Sequence, residues 1–127
     1  MPGPRFAPNE WAVDQWVFGR GESIEWRRPN GAVEIRRLNT AKLQHMWALR
    51  IRRRLHEKKM KLKTYAKLSG NKYDRLSKVL RGAVLMRLED LADAQLLLDK
   101  IVFEGRKVEN PLKPSEDSEF AALLDGV

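Results

Sequence analysis

Two glycines constrain this chain most. Gly70 and Gly82 bracket the run NKYDRLSKVLR, in which Leu76, Val79 and Leu80 recur at helical spacing and give one buried face. Glycine adopts positive φ at little cost, so each glycine closes a helix with a sharp turn. Ala66 lies four residues before Gly70, inside a first short helix expected over 62–68, with Tyr65, Ala66 and Leu68 facing inward. Asn71 is expected to cap the second helix and Lys72 to open it, over 72–81. A connection from Arg81 to Arg87 then leads into a helix over 88–103, ended by Gly105. Val84, Leu85 and Met86 are more apolar than a free loop needs, so at least one is expected to plug the core. Two short helices joined by a tight turn make a helix-turn-helix, whose second helix can offer its outer face to a major groove.

The spacing of Ala66, Gly70, Leu76, Ser77 and Gly82 resembles that of the lambda-repressor/Cro-like, or XRE-type, helix-turn-helix family. RLEDLADA, from Arg87 to Ala94, resembles that family's fourth helix, and the likeness covers residues 49–103. The chain departs from the family pattern at Lys61 and Arg87, where Ser or Thr caps are usual, and at Asn71, where an apolar residue is usual. The resemblance implies a mainly α fold: a five-helix lambda-repressor-like helix-turn-helix domain, here with a short N-terminal helix and a β-hairpin appended. It implies double-stranded DNA as partner and a homodimer on paired half-sites. It also places base reading on Lys72, Tyr73, Asp74, Arg75 and Lys78.

Charge follows the same map. The net charge is +8. Residues 36–87 carry 17 Lys/Arg against two acids, Glu57 and Asp74, whereas residues 1–35 carry four against five and residues 88–127 four against ten. Positive charge concentrated on the helix-turn-helix is the electrostatic footprint of a nucleic-acid binder, because phosphate contacts dominate sequence-independent affinity. Lys61, Lys63 and Lys67 on the first short helix, Arg81 after the second and Arg53 on the preceding long helix are the candidate phosphate contacts. Arg and Lys suit guanine edges, and Asp74 suits a cytosine amine or the orientation of Arg75 or Lys78.

The chain divides into 1–38, 39–105 and 106–127. In the first part, residues 1–8 read as a loose arm. A short helix is expected over 10–18, rich in Trp11, Val13, Trp16, Val17 and Phe18. Residues 23–38 read as a hairpin about Asn30-Gly31, a strong two-residue turn signal. In that register Trp26 opposes Ile35, while Arg27 opposes Glu34 and Glu25 opposes Arg36. The hairpin serves as scaffold, dimer element or wing. In the second part, a long helix is expected from residue 39 or 40 to 59, with Leu43, Met46, Trp47, Ile51 and Leu55 as its apolar stripe. His45 and His56 stand alone and read as structural or surface residues. In the third part, a linker with Pro111 and Pro114 precedes an acidic amphipathic helix over 116–124, whose apolar side can meet its own domain or a protein partner.

The absence of cysteine excludes a disulfide framework and Cys-based metal sites. No apolar run approaches a membrane span, and MPGPRFAPNE has no apolar signal core, so a cytoplasmic, nucleoid-associated protein is expected. No phosphate-cradling glycine loop, nucleophile elbow, metal cluster or acid pair is present, so neither enzymatic activity nor a cofactor is expected. Three functions fit. A sequence-specific transcriptional regulator, most simply a repressor, would insert 72–81 into the major groove. An antitoxin would use the same module to autoregulate its operon while an appendage grips a toxin. An architectural or RNA-binding basic protein would bind with steep salt dependence and little sequence preference.

Overall fold

The structure, a computed structural model, describes residues 6–103. It is mainly helical. Four α-helices, α1 (Ala32–Glu57), α2 (Leu62–Ser69), α3 (Tyr73–Arg81) and α4 (Leu88–Leu98), follow two short 3-10 helices at Pro8–Trp11 and Gln15–Val17. No helix among the described residues is long and apolar enough to cross a membrane. Residues 1–5 of the loose arm expected over 1–8, the proline linker and the acidic helix over 116–124 lie outside the described residues, whereas Pro8, expected at the end of that arm, is buried and opens the first 3-10 helix.

The expected hairpin does not form. Gly31 does take positive φ, at 87°, but as the N-cap of α1, and the second strand becomes the first turns of that helix. Just before that cap, Asn30 N–H donates to the Glu34 carboxylate of the first helical turn at 3.1 Å, which ties the incoming chain to the helix start. The deciding pattern is longer than the hairpin window. Leu38, Ala41, His45, Ala48, Ile51 and Leu55 are buried at spacings of three and four, while Val33 and Ile35 remain exposed. The pairs Trp26–Ile35, Arg27–Glu34 and Glu25–Arg36 are therefore not formed, and α1 runs through the boundary expected at residue 38. Leu43, placed on its apolar stripe from sequence, is exposed.

The short helix expected over 10–18 is instead two 3-10 turns, because extended backbone at Ala12 and Asp14 separates them. Ala12 bridges Trp26, with Val13 N–H donating to Glu25 O (3.0 Å) and Arg27 N–H to Trp11 O (2.9 Å). Asp14 starts the second turn by accepting from Trp16 N–H. This folded N-terminal segment packs on the upstream half of α1. Ala12, Phe18 and Ala41 form a small core there, with Trp11, Ile24 and Trp26 against it.

The main core lies downstream. Ala48, Ile51 and Leu55 of α1 meet Tyr65 and Ala66 of α2, Leu76 and Leu80 of α3, and Leu91, Ala94 and Leu98 of α4. A fully buried Leu contributes about 1.5–3 kcal/mol, so this shared apolar face holds the four helices together. Met86, from the α3–α4 loop, packs on that core, whereas Val84 and Leu85 are exposed. Leu68, expected to face inward, is exposed.

α4 is shorter than expected. Asp99 and Lys100 take positive φ and end it at Leu98. Gln95 then bends the chain back, its side-chain oxygen accepting from the N–H groups of Ile101, Val102 and Phe103 at 3.1, 2.9 and 3.2 Å. Two arginines of α1 add cations at the carbonyl end. Arg54 donates to Leu98 O at 2.9 Å and Arg50 to Ile101 O at 2.7 Å.

Candidate nucleic-acid interface

The turn between α2 and α3 follows from one residue. Gly70 sits in the left-handed region at φ 73°, and Asn71 N–H donates to Ala66 O at 2.9 Å, closing the carbonyl end of α2. Asn71 is not the cap of α3. Its side-chain amide donates to Ser69 Oγ, and Lys72 occupies the N-cap with no side-chain bond. Gly82 closes α3 in the same way at φ 77°, with Ala83 N–H donating to Lys78 O at 2.9 Å. Here space also demands glycine, since a Cβ would lie 2.6 Å from the Phe18 ring.

Gly82 is also where the N-terminal segment meets α3. Asn9 N–H donates to Gly82 O (3.0 Å), and the Asn9 amide donates to Arg81 O (3.1 Å). On the inner side, the buried Gln44 amide donates to Val79 O and Val84 O, and its oxygen accepts from Met86 N–H. The carbonyl end of α3 is thus gripped from two directions, which fixes how far the helix projects.

With Leu76, Val79 and Leu80 buried, α3 presents Lys72, Tyr73, Asp74, Lys78 and Arg81 outward, all exposed, with Ser77 half-buried at the edge. Lys72, Tyr73, Asp74, Arg75, Lys78 and Val84 line an open groove of about 660 Å³. Lys61, Lys63 and Lys67 stand exposed on and before α2, and the Lys63 ammonium lies 5.5 Å from the Tyr73 ring centre. The structure therefore brings most of the sequence-predicted residues onto one face.

Arg75 and Arg53 stand apart. Arg75 was expected to read a base edge, but its two terminal nitrogens donate to Asp90 of α4 at 2.8 and 2.9 Å. Asp90 is buried and also accepts from Arg87 N–H at 2.8 Å, capping α4. Those hydrogen bonds hold the Arg75 guanidinium above its ordinary range. Arg75 therefore joins α3 to α4, with each terminal nitrogen committed to Asp90. Arg53 is exposed and bridges to Glu22.

Sequence reading did not single out two arginines, Arg52 being only one of the basic residues off the apolar stripe of the long helix. Arg52 is half-buried and its Nε has no partner among the described residues. Arg20 stacks over the exposed Trp16 ring at 4.1 Å. Nothing in the RIRRR run separates Arg52 from its neighbours. Arg50, Arg53 and Arg54 all find partners, and only the packing of the N-terminal segment shows which one does not. Of the two histidines read as structural or surface residues, His45 is interior and His56 exposed. His45 is buried against Phe18 and Trp26, and its Nδ1 accepts from Gly19 N–H at 2.8 Å. No three potential metal ligands gather among the described residues. Comparison with family models, curated proteins and solved structures found no match to this chain.

Proposed function

We propose that this protein is a sequence-specific DNA-binding transcriptional regulator, acting as a repressor, that seats α3 in the major groove as lambda-repressor/Cro-like proteins do. One observation carries the reading. α3 follows a turn made by left-handed Gly70 at the end of α2, is closed by left-handed Gly82, and projects an exposed row of Lys72, Tyr73, Asp74, Lys78 and Arg81. A helix of this length with one apolar and one charged face fits the groove, and exposed Lys61, Lys63 and Lys67 beside it suit the flanking phosphates. Lys78 and Lys72 supply donors for guanine edges, and Asp74 an acceptor for a cytosine amine. Arg75 acts behind them by fixing α3 on α4.

Two protomers are expected on half-sites about one helical turn apart. The exposed apolar side chains Leu85 and Leu88 before and at the start of α4, with Leu96 and Leu97 along it, support a homodimer. Such a regulator works at the nucleoid.

The test is selection of random duplexes by the purified full chain at near-physiological salt, followed by sequencing. A two-fold symmetric motif is expected. Lys78→Ala then weakens binding to that motif by about 1–3 kcal/mol and relaxes preference at one position. Retention without any enriched motif would overturn the regulator and favour the architectural alternative.

A further inference from the structure

A cluster of arginines beside α3 remains after the base-facing row has been assigned. Arg52 projects from α1 and Arg20 from the folded N-terminal segment. They share the lining of a cleft of about 460 Å³. Arg20 also lines an adjoining cavity of about 200 Å³ with Arg81 and Trp16. The carboxylates of the larger cleft are already engaged, Glu22 by Arg53 and Glu57 by Arg54. Among the described residues, neither Arg52 nor Arg20 has a carboxylate partner. Burial first, and then the charges of Arg20 and Arg81, pull the Arg52 guanidinium below its ordinary range, with only Tyr73 acting the other way.

A folded chain seldom leaves a partly desolvated guanidinium among like charges without a counter-charge, as half-buried Arg52 is left here near the exposed Arg20 and Arg81. Here the arrangement is held by specific packing. Phe18 against Gly82 and the Asn9 bonds to Arg81 and Gly82 keep Arg20 beside α3. The Trp16 ring braces the Arg20 guanidinium from one side. Tyr73, Ser77 and Arg81 recur every four residues along α3, so they form the edge that borders the cluster. Planar guanidiniums with free donors match the oxygens of a phosphate, which lysines at exposed positions match only as point charges.

We propose that Arg20, Arg52 and Arg81 form an anion site that takes a phosphate of the DNA backbone, so that the N-terminal segment extends the footprint of α3 beyond the helix-turn-helix. The assignment to a duplex rests on the DNA-binding reading above. The site's preference for phosphate oxyanions does not.

The test has two arms, both on the full chain and on the double variant Arg20→Gln/Arg52→Met. In the first, affinity for a duplex is measured across salt concentration. The variant is expected to weaken binding equally on matched and unmatched sequences, and to reduce the slope of log affinity against log salt by about 1. In the second, thermal unfolding is compared in about 20 mM inorganic phosphate and in chloride of equal ionic strength. The wild type is expected to gain about 3 °C more from phosphate than the variant, the size for a ligand at roughly twice its Kd. Arg20→Gln alone, at an exposed side chain, moves both readouts in the same direction and guards against misfolding of the double variant. An unchanged salt slope with a lost phosphate response would overturn the duplex assignment and leave a site for free phosphate. Equal phosphate responses in wild type and variants would overturn the site itself. If the wild type bound no duplex, the DNA reading and the duplex assignment would both fall, and the phosphate arm would still decide the anion site.

Discussion

Two seams meet α3, and each encloses a partly buried arginine. On the α4 side, Arg75 lies against Asp90 with both terminal nitrogens bonded. On the side of α1 and the N-terminal segment, Arg52 shares a cleft with Arg20 and is under the charges of Arg20 and Arg81, with its Nε unpartnered. The residue type is the same and the helix is the same, but the neighbours differ. Where a buried carboxylate answers the guanidinium, its charge is paired within the fold and the side chain acts as a fastener. Where other cations surround it, the donors stay open and the seam is complete only with an anion present. Charge and exposure rank such residues poorly as ligand contacts; what each donor already touches ranks them well.

The largest way to break this contrast is to remove the partner. Asp90→Ala leaves Arg75 without its carboxylate and Arg87 N–H without its cap acceptor. Losing one member of a buried, bonded ion pair costs about 3 kcal/mol or more. Equilibrium urea unfolding is expected to show that loss with an unchanged slope. A cost under about 1 kcal/mol would mean that the Arg75–Asp90 contact adds little, and the two seams would no longer differ in kind.

The frame of α3 itself was legible in the sequence, and the two seams that flank it were not. Gly70 and Gly82 mark real left-handed closures because positive φ is a local property that glycine declares by itself. The buried face of Leu76, Val79 and Leu80 is equally local. The N-terminal half misled for the opposite reason. Asn30-Gly31 carries the same φ signal in a hairpin and at a helix start, and only the buried stripe running upstream to Leu38 decides between them. Alternation at Val33 and Ile35 mimicked a strand, although both side chains are exposed on a helix. The pairing of Arg75 with Asp90 spans 15 residues across a loop, and the docking of Phe18 onto Gly82 spans most of the described chain. Neither contact leaves a periodic trace, so the residue taken for a base reader turned out bonded and the unpaired arginine was not singled out.

A second probe concerns His45, which anchors the N-terminal segment beneath the arginine cluster. Burial lowers its pKa from the ordinary 6.5, against a smaller opposite pull from the Gly21 backbone. The folded protein therefore holds this imidazole neutral, accepting from Gly19 N–H, while the unfolded chain takes up the proton more readily. Stability from this site is full above the unfolded value. It declines as pH falls below 6.5 and levels off only beneath the lowered folded value. Thermal unfolding is expected to show a falling Tm from about pH 7.5 to 5.5. His45→Asn keeps an acceptor for Gly19 but cannot titrate, so it should flatten that slope. Asp93, whose carboxyl burial pushes up before Asp90 and Glu89 add to it, favours the protonated fold and acts in the opposite sense at lower pH. A slope unchanged in His45→Asn would assign the acid sensitivity elsewhere and detach it from the N-terminal seam.

The smallest expected effect is the sharpest for the comparison. Arg52→Met keeps an aliphatic stem of similar length while removing one of the three charges. Because no carboxylate is left unpaired, stability in chloride should hold or rise, by about 1 kcal/mol at most. Arg75→Met at the other seam should destabilise, since buried Asp90 then faces no guanidinium. The two substitutions are chemically identical and lie on adjacent elements, so their difference in sign isolates the partner as the cause. If Arg52→Met instead destabilised the fold as much as Arg75→Met, Arg52 would be a fastener as well. Its open donors would then carry no claim on a phosphate, and the N-terminal segment would reduce to a brace for the end of α3.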